Sequence, residues 1–326
     1  TALRVMGVKE GDEVITTPYT FASTAHVICH HRAKPVFVDV EADTSNIDPE
    51  KIEAKITPKT KGIIPVHFAG HACDMDSIMD IAKRHKIFVM EDGAHALGTE
   101  YKNNTIGSIG DITCFSFYAT KNLTTSEGGM AVTNNEDWAN RMRILTMYGI
   151  SDAREIWHNR YSKDGDIHYD IVELGYKCNM TDLCAAIGIQ QLAKLNSFNA
   201  AREQFAQIYD NAFKDHPGLK IPTIKSYTKT CRHLYPLLLN LDYLNINRDS
   251  FINSLKKLNI NTSVLFKPLH LHSYYADTFT YKRGDFPIAE KLFERVVCLP
   301  VSPKLGESNI RKVAETVLFL VETHRR

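Results

Sequence analysis

Short apolar and β-branched runs alternate with segments of helical periodicity from the amino terminus to about residue 195. That alternation predicts an α/β fold with a mainly parallel sheet covered by helices, because parallel neighbours need a crossover between them. The strand candidates are Glu13 to Thr17, Pro35 to Val40, Gly62 to His67, Ile87 to Glu91, Ile112 to Phe117 and Gly129 to Thr133. Helices are expected at Asp76 to His85, Glu136 to Tyr148 and Asp182 to Leu195. Beyond residue 195 the pattern changes to a long polar helix, Ser197 to Lys214, followed by Pro217-Gly218 and an α+β stretch. That stretch holds a strand at Leu234 to Leu239, a helix at Arg248 to Leu258, a strand at Asn261 to Phe266 and a last helix at Ser308 to Glu322. The reading is a large domain over 1–195 and a smaller α+β domain over 196–326. At the start, Leu3, Val5, Met6 and Val8 read as the end of an amphipathic helix with no start signal before it, so upstream residues are expected to be missing.

Composition narrows the function classes. A chain of 326 residues, 44% hydrophobic, can bury a large core and support two domains. Its net charge of +1 provides no basic field to draw nucleic acid or an anionic membrane. No apolar run approaches the ~20 residues that span a bilayer, and no signal peptide is present, so a soluble protein is expected. The seven cysteines are odd in number, scattered and without a CxxC pair, which argues against a disulfide framework or structural zinc and fits a reducing cytoplasm. His30-His31 and the other histidines show no metal-ligand spacing, so no metal is expected.

The segment from Val89 to Gly98 puts Glu91 and Asp92 at the carboxyl end of a predicted buried strand, the edge of an open α/β sheet where ligands bind. A carboxylate there can anchor a protonated ring nitrogen, although Asp92 alone reads first as a helix N-cap. Lys121 follows the apolar strand Ile112 to Phe117 and precedes a Gly-Gly turn. A part-buried amine in that position would lose proton affinity through desolvation, as Schiff-base chemistry requires. Ser116, Thr120, Thr124, Thr125 and Ser126 supply hydroxyls for a phosphate dianion. Taken singly, Lys121 reads as an ordinary loop lysine. Gly107 to Gly110 is no dinucleotide fingerprint, since a strand follows and a third glycine is lacking. Cys114 and Cys298 read as inert core residues, and Arg141 and Arg143 as a solvated helix face.

Together these segments resemble the DegT/DnrJ/EryC1/StrS family of sugar aminotransferases. The resemblance is carried by Glu91-Asp92-x-Ala94-His95-Ala96-x-Gly98, Gly107-x-x-Gly110-Asp111, Phe115-Ser116-Phe117-x-x-Thr120-Lys121-Asn122 and Glu127-Gly128-Gly129. Gly11 to Val14, Pro18 to Ala22, Gly175 to Asp182, Pro268 to His270 with Tyr274-Tyr275, and Cys298 to Pro300 extend it over nearly the whole chain.

The resemblance implies the type I aminotransferase fold and pyridoxal 5'-phosphate as cofactor. Lys121 matches the Schiff-base lysine, Asp92 the acid paired with the pyridine nitrogen, His95 the neighbour of the ring hydroxyl and Ser116 the phosphate-binding hydroxyl. Phe21 falls where an aromatic ring stacks on the cofactor, with Tyr19 the alternative. Asn179 matches an asparagine that reaches the partner subunit's cofactor, which implies a homodimer with shared sites, and His270 lies in a segment that approaches the substrate. L-Glutamate as donor and a UDP-, GDP- or dTDP-linked keto sugar as acceptor are implied; the Lys121 to Glu127 and Gly175 to Met180 segments are most similar to the 4-aminotransferases, hence a 4-keto-6-deoxy sugar. Lysine at position 121 favours transamination over the related sugar dehydratases, which carry histidine there. A carbocyclic aminotransferase or a catalytically silent binding relative are the other readings. The family's glycine-threonine turn, which binds phosphate at a helix N-terminus, would fall just before Thr1; its absence implies an incomplete chain or impaired cofactor binding.

Overall fold

The computed structural model describes residues 1–151 and 169–326. Six strands form the main sheet: β1 (Glu13–Thr16), β2 (Lys34–Phe37), β3 (Thr60–Ile64), β4 (Phe88–Asp92), β5 (Ile112–Ser116) and β6 (Gly129–Val132). Their spatial order is β2-β1-β3-β4-β5-β6, with every neighbouring pair parallel except β5 and β6. Ile15, Ile63 and Val89 are fully buried in the interior strands, as expected of a parallel sheet covered on both faces. The parallel arrangement sends the carboxyl ends of β1, β3, β4 and β5 to one edge. From that edge emerge the loops carrying Tyr19, His67, His95 and Lys121.

Helix α1 (Ala2–Val5) packs beneath the sheet with α2 (Ala22–His30), α3 (Met75–His85) and α4 (Glu136–Thr146) following in chain order. Capping fixes where two of them begin: Asp74 accepts a hydrogen bond from Ser77 N at the start of α3, and Asn135 one from Trp138 N at the start of α4. Helix α5 (Asp182–Leu192), capped by Thr181, leads to the long α6 (Leu195–Phe213). The remainder comprises β7 (Leu219–Lys220), β8 (Tyr235–Leu239), α7 (Arg248–Lys257), α8 (Ser273–Phe279), α9 (Pro287–Arg295), β9 (Val296–Leu299) and α10 (Gly306–Thr323). Strands β9, β8 and β7 form an antiparallel sheet. Against it α6 contributes Phe205, Tyr209 and Phe213, and α10 contributes Val317 and Val321, to a core drawn wholly from residues 205–321. No helix among the described residues is long and apolar enough to cross a membrane.

One sequence expectation fails locally. Asn261 to Phe266 is not a strand; only Ser263 pairs, with Cys298, and the chain then turns so that the Tyr19 hydroxyl donates to Leu265 O at 2.9 Å. Helix α2 and strand β9 carry no pattern that singled them out. Helix α2 is fixed by a core assembled from distant segments, in which Tyr19, Phe37 and Phe68 meet Leu269, Tyr275 and Phe286, and β9 by the core to which it gives Val297 and Leu299. The start of α9 is likewise fixed from afar. Its own N-cap residue, Phe286, offers no side-chain acceptor, and buried Asp39 accepts from Ile288 N and Ala289 N, both at 3.0 Å.

Beside the sheet edge lies a buried polar group that the fold must satisfy. Glu91 is fully buried, and its carboxylate accepts from His67 Nε2 at 2.9 Å, Gly110 N at 2.8 Å and the Thr113 hydroxyl at 2.7 Å. His67 Nδ1 accepts from Cys73 N at 3.1 Å, which leaves Nε2 as the protonated nitrogen. Burial pushes the Glu91 carboxyl up, but the hydrogen bonds and the His67 imidazole outweigh it and leave the group below its ordinary value. Replacing His67 with Leu would remove one of three donors to this buried carboxylate, and unfolding free energy is expected to fall by about 1–3 kcal/mol in denaturant titrations. Because the folded-state pKa is the lower one, Glu91 contributes fully above pH 4.5 and loses its contribution as pH falls through the folded value. Glu91→Gln should therefore weaken the protein near neutrality and flatten the acid limb of its stability profile, measured by the same titration across pH.

Candidate active site

Strand alternation divides the two acidic residues of β4. Glu91 turns into the protein, and Asp92 turns toward a cavity of about 410 Å³ that it shares with Thr24, Ala94, Cys114 and Ser116. The register of β4 against β5 sets Asp92 opposite Cys114, so Asp92 and Ser116 reach the same edge from neighbouring strands. The backbone of Asp92 is held on both sides: its N–H donates to Pro65 O at 2.9 Å and its carbonyl accepts from His67 N at 3.2 Å. Gly93 comes next because a Cβ there would meet the Thr113 and Phe115 side chains at 2.9 Å.

The Asp92 carboxylate accepts from the Thr24 hydroxyl at 2.7 Å through Oδ2 and from Ala94 N at 3.1 Å through Oδ1. The Thr20 hydroxyl lies 2.9 Å from that of Thr24 and completes the chain. Two hydrogen bonds leave acceptor capacity on a carboxylate that lines a cavity. The Ala94 N contact has the form of the cap expected from sequence, but a turn rather than a helix follows. Thr24 was not among the sequence candidates, since a threonine within an apolar helix gives no sign of its partner.

Lys121 sits in the turn after β5, its N–H donating to Tyr118 O at 3.0 Å, with the side chain half-buried. Burial lowers the proton affinity of its amine, and the negative charge of Asp92 opposes that effect. His95 is buried in the turn after β4, its ring stacked on Phe266 at 6.0 Å and 13°. Burial, and then the Lys121 charge, hold it well below the usual histidine value, so its imidazole is neutral. A second buried imidazole, His233, lies 4.4 Å from His95 between ring centroids, and burial, then the neighbouring His95, Lys121 and Arg202, hold it well below the usual histidine value. Sequence reasoning missed His233, which stands between Arg232 and Leu234 just ahead of β8 with no motif to mark it.

The other expected residues separate. Phe21 is 63% exposed at the head of α2, whereas Tyr19 is buried against Phe68, so of the two rings only Phe21 is free to lie on a ligand. The Ser116 hydroxyl accepts from Tyr118 N at 3.4 Å and faces the cavity. Asn179 is exposed just before α5. His270 is fully buried, with Nε2 2.8 Å from Glu290 and its ring edge-on to Phe286. In this position it anchors the Pro268–Leu271 turn against α9. Cys114 borders the cavity, but burial followed by the Asp92 charge pushes its thiol up to about 12, which keeps it unreactive. Arg141 makes a two-pronged pair with Glu173 at 2.9 and 3.0 Å on an exposed helix face.

A carboxylate with spare acceptor capacity, a hydroxyl on the adjoining strand and a half-buried amine are the donor set a phosphorylated pyridine aldehyde requires. Comparison with known proteins gives the same answer. Residues 1–318 match the model of the DegT/DnrJ/EryC1/StrS aminotransferase family. The chain is 46% identical to the spore coat polysaccharide biosynthesis protein SpsC of Bacillus subtilis, over 98% of this chain and 82% of that one. It is 38% identical to a UDP-4-amino-4-deoxy-L-arabinose–oxoglutarate aminotransferase of Shewanella sediminis, with coverage of 98% and 82%. Its fold matches the PMP-form of the sugar aminotransferase Spr1654 from Streptococcus pneumoniae with a TM-score of 0.91, at 34% identity over 98% of this chain and 84% of that one. The chain belongs to the DegT/DnrJ/EryC1/StrS aminotransferase family, whose members are pyridoxal-phosphate-dependent.

Proposed function

We propose that the protein transfers an amino group from L-glutamate to a nucleotide-linked 4-keto-6-deoxy sugar, with Lys121 as the residue that holds the cofactor and moves the proton. The observation that carries this reading is that a half-buried amine and the Asp92 carboxylate stand at one edge of the sheet, near enough for the charge of Asp92 to act on the amine. The name of the Shewanella relative, which joins a 4-amino sugar to oxoglutarate, supports position 4 and the glutamate–oxoglutarate pair.

When bound, pyridoxal phosphate supplies an electron-accepting ring for the pair released as the substrate's α-proton leaves. The chain's residues divide the remaining work. Asp92, fixed by Thr24 and Ala94, would hold the protonated ring nitrogen. Ser116 would take the phosphate, Phe21 would cover a ring face and neutral His95 would lie beside the ring hydroxyl. Desolvation raises the neutral fraction of the Lys121 amine, which suits it to hold the cofactor through its aldehyde carbon and, once displaced by the amino donor, to take the substrate's α-proton as general base and pass it to the cofactor. Donor and acceptor would use one site in turn, which implies ping-pong kinetics.

A homodimer belongs to the same proposal. Helix α5 buries none of its residues within the chain; Leu183 is 74% exposed, and Leu174, just before the helix, is 78% exposed. This apolar surface adjoins the Lys121 loop, since Gly188 approaches the Thr125 side chain and Met180 approaches Gly128. A second copy seated there would cover an apolar patch too extended for a monomer and bring its Asn179 to the neighbouring site.

Lys121→Ala is expected to abolish turnover and to leave no cofactor attached to the chain after borohydride reduction, as read by peptide mass spectrometry. Normal turnover by that variant, or cofactor recovered on a different lysine of the unaltered protein, would sink the assignment. Leu183→Glu should yield a folded monomer by sedimentation, with activity lost alongside the dimer. A screen of UDP-, dTDP- and GDP-linked keto sugars with L-glutamate, scored by 2-oxoglutarate release, tests the acceptor.

A further inference from the structure

The loop bearing Lys121 has few anchors of its own. Tyr118, Ala119 and Thr120 are exposed, and Asn122 and Leu123 are the buried residues beside the lysine. Asn122 uses its whole side chain as a tie. Its amide nitrogen donates to Asn199 Oδ1 at 2.8 Å and to Cys231 O at 3.0 Å, and its oxygen lies 2.8 Å from His233 Nδ1. An amide oxygen only accepts, so His233 carries its proton on Nδ1. The tie extends on both sides. Asn199 Nδ2 donates to Leu97 O at 3.2 Å, in the turn that carries His95, and Arg202 donates to His233 O at 3.1 Å. The Asn122–His233 pair thus ties the Lys121 loop to helix α6, and Asn199, 77 residues beyond Asn122, carries the tie on to the turn after β4.

We propose that His233 is a positioning residue for Lys121: by donating from Nδ1 to Asn122 it fixes the loop on which the amine stands and registers that loop against α6 and the His95 turn. The inference rests on the reading of Lys121 as the cofactor-bearing residue. His233 touches no reacting atom. Its effect is geometric, and a displacement on the order of 1 Å at a reacting group costs about 10²-fold in rate. The charged and titratable groups around it, Lys121, His95 and Arg202, all disfavour its protonation, so it acts as a neutral donor.

The test uses the cofactor-loaded protein with His233→Leu, which removes the donor, and His233→Asn, whose amide N–H can stand near the place of Nδ1. His233→Leu should lower kcat by roughly 10²-fold with KM for the sugar little changed. It should also slow attachment of added pyridoxal phosphate to Lys121, followed by borohydride trapping and peptide mass spectrometry. His233→Asn should restore most of both. If His233→Leu does not fold, His233→Phe keeps a buried ring in that place but lacks the Nδ1 donor, and it should slow trapping in the same direction. Unchanged trapping and kcat in His233→Leu, or in His233→Phe where that variant is used, would overturn the inference, as would a His233→Asn protein as impaired as His233→Leu. Those results leave the functional reading standing. Unaltered protein that traps no cofactor on Lys121 would overturn the functional reading and this inference with it.

Discussion

The carboxyl end of β4 imposes the constraint around which the site is organised. Two successive carboxylates must leave water at the end of an interior strand, and strand geometry sends them to opposite faces. The fold answers by saturating one: Glu91 meets His67, Gly110 N and Thr113, so its charge is spent inside the protein. Asp92 receives only Thr24 and Ala94 N and keeps acceptor capacity toward the cavity. The saturated carboxylate and the backbone bonds from Pro65 and His67 hold the other in place, and an aspartate left to its own rotamers would not present a fixed acceptor to a ring nitrogen.

Around that fixed charge the remaining ionisable groups are kept neutral or made easier to neutralise. Burial acts on Lys121, His95 and His233 together, and the amine's own positive charge further disfavours a proton on either imidazole. The charge of Asp92 opposes the effect of burial on Lys121. A polar cluster of this kind is stable because each buried ring finds a stacking or hydrogen-bonding neighbour: Phe266 for His95 and Asn122 for His233. Family membership accounts for the presence of a lysine and an acid at the sheet edge, and the hydrogen bonds account for how they stay there.

Much of this was legible in the sequence. Every strand of the main sheet was located to within a few residues, since parallel interior strands are near-continuous apolar runs bounded by turn residues. Asp92, Ser116 and Lys121 were legible as a set only through the motifs around them, which resemble the family; taken singly, Asp92 reads first as a cap and Lys121 as a loop lysine. Other features had no local signature. Thr24 is recognisable only once α2 lies beside β4, and His233 only once the start of β8 reaches the Lys121 loop. The orientation of His270 is likewise unmarked, because a position in a motif says nothing of which way its ring turns. The core formed with α9 turned it inward.

The sequence by itself determined the alternation of strands and helices, the order of the chemistry-bearing residues and the family, because periodicity and motif spacing are local properties of the chain. Only the tertiary structure decided which of two neighbouring carboxylates stays available, which of Tyr19 and Phe21 is free, and which distant amide and imidazole hold the lysine loop. Those choices depend on burial and on hydrogen-bond partners separated by up to about 250 residues, such as Asp39 at the start of α9 and Tyr19 on Leu265 O. Desolvation and hydrogen bonding act through space, and no local pattern encodes them.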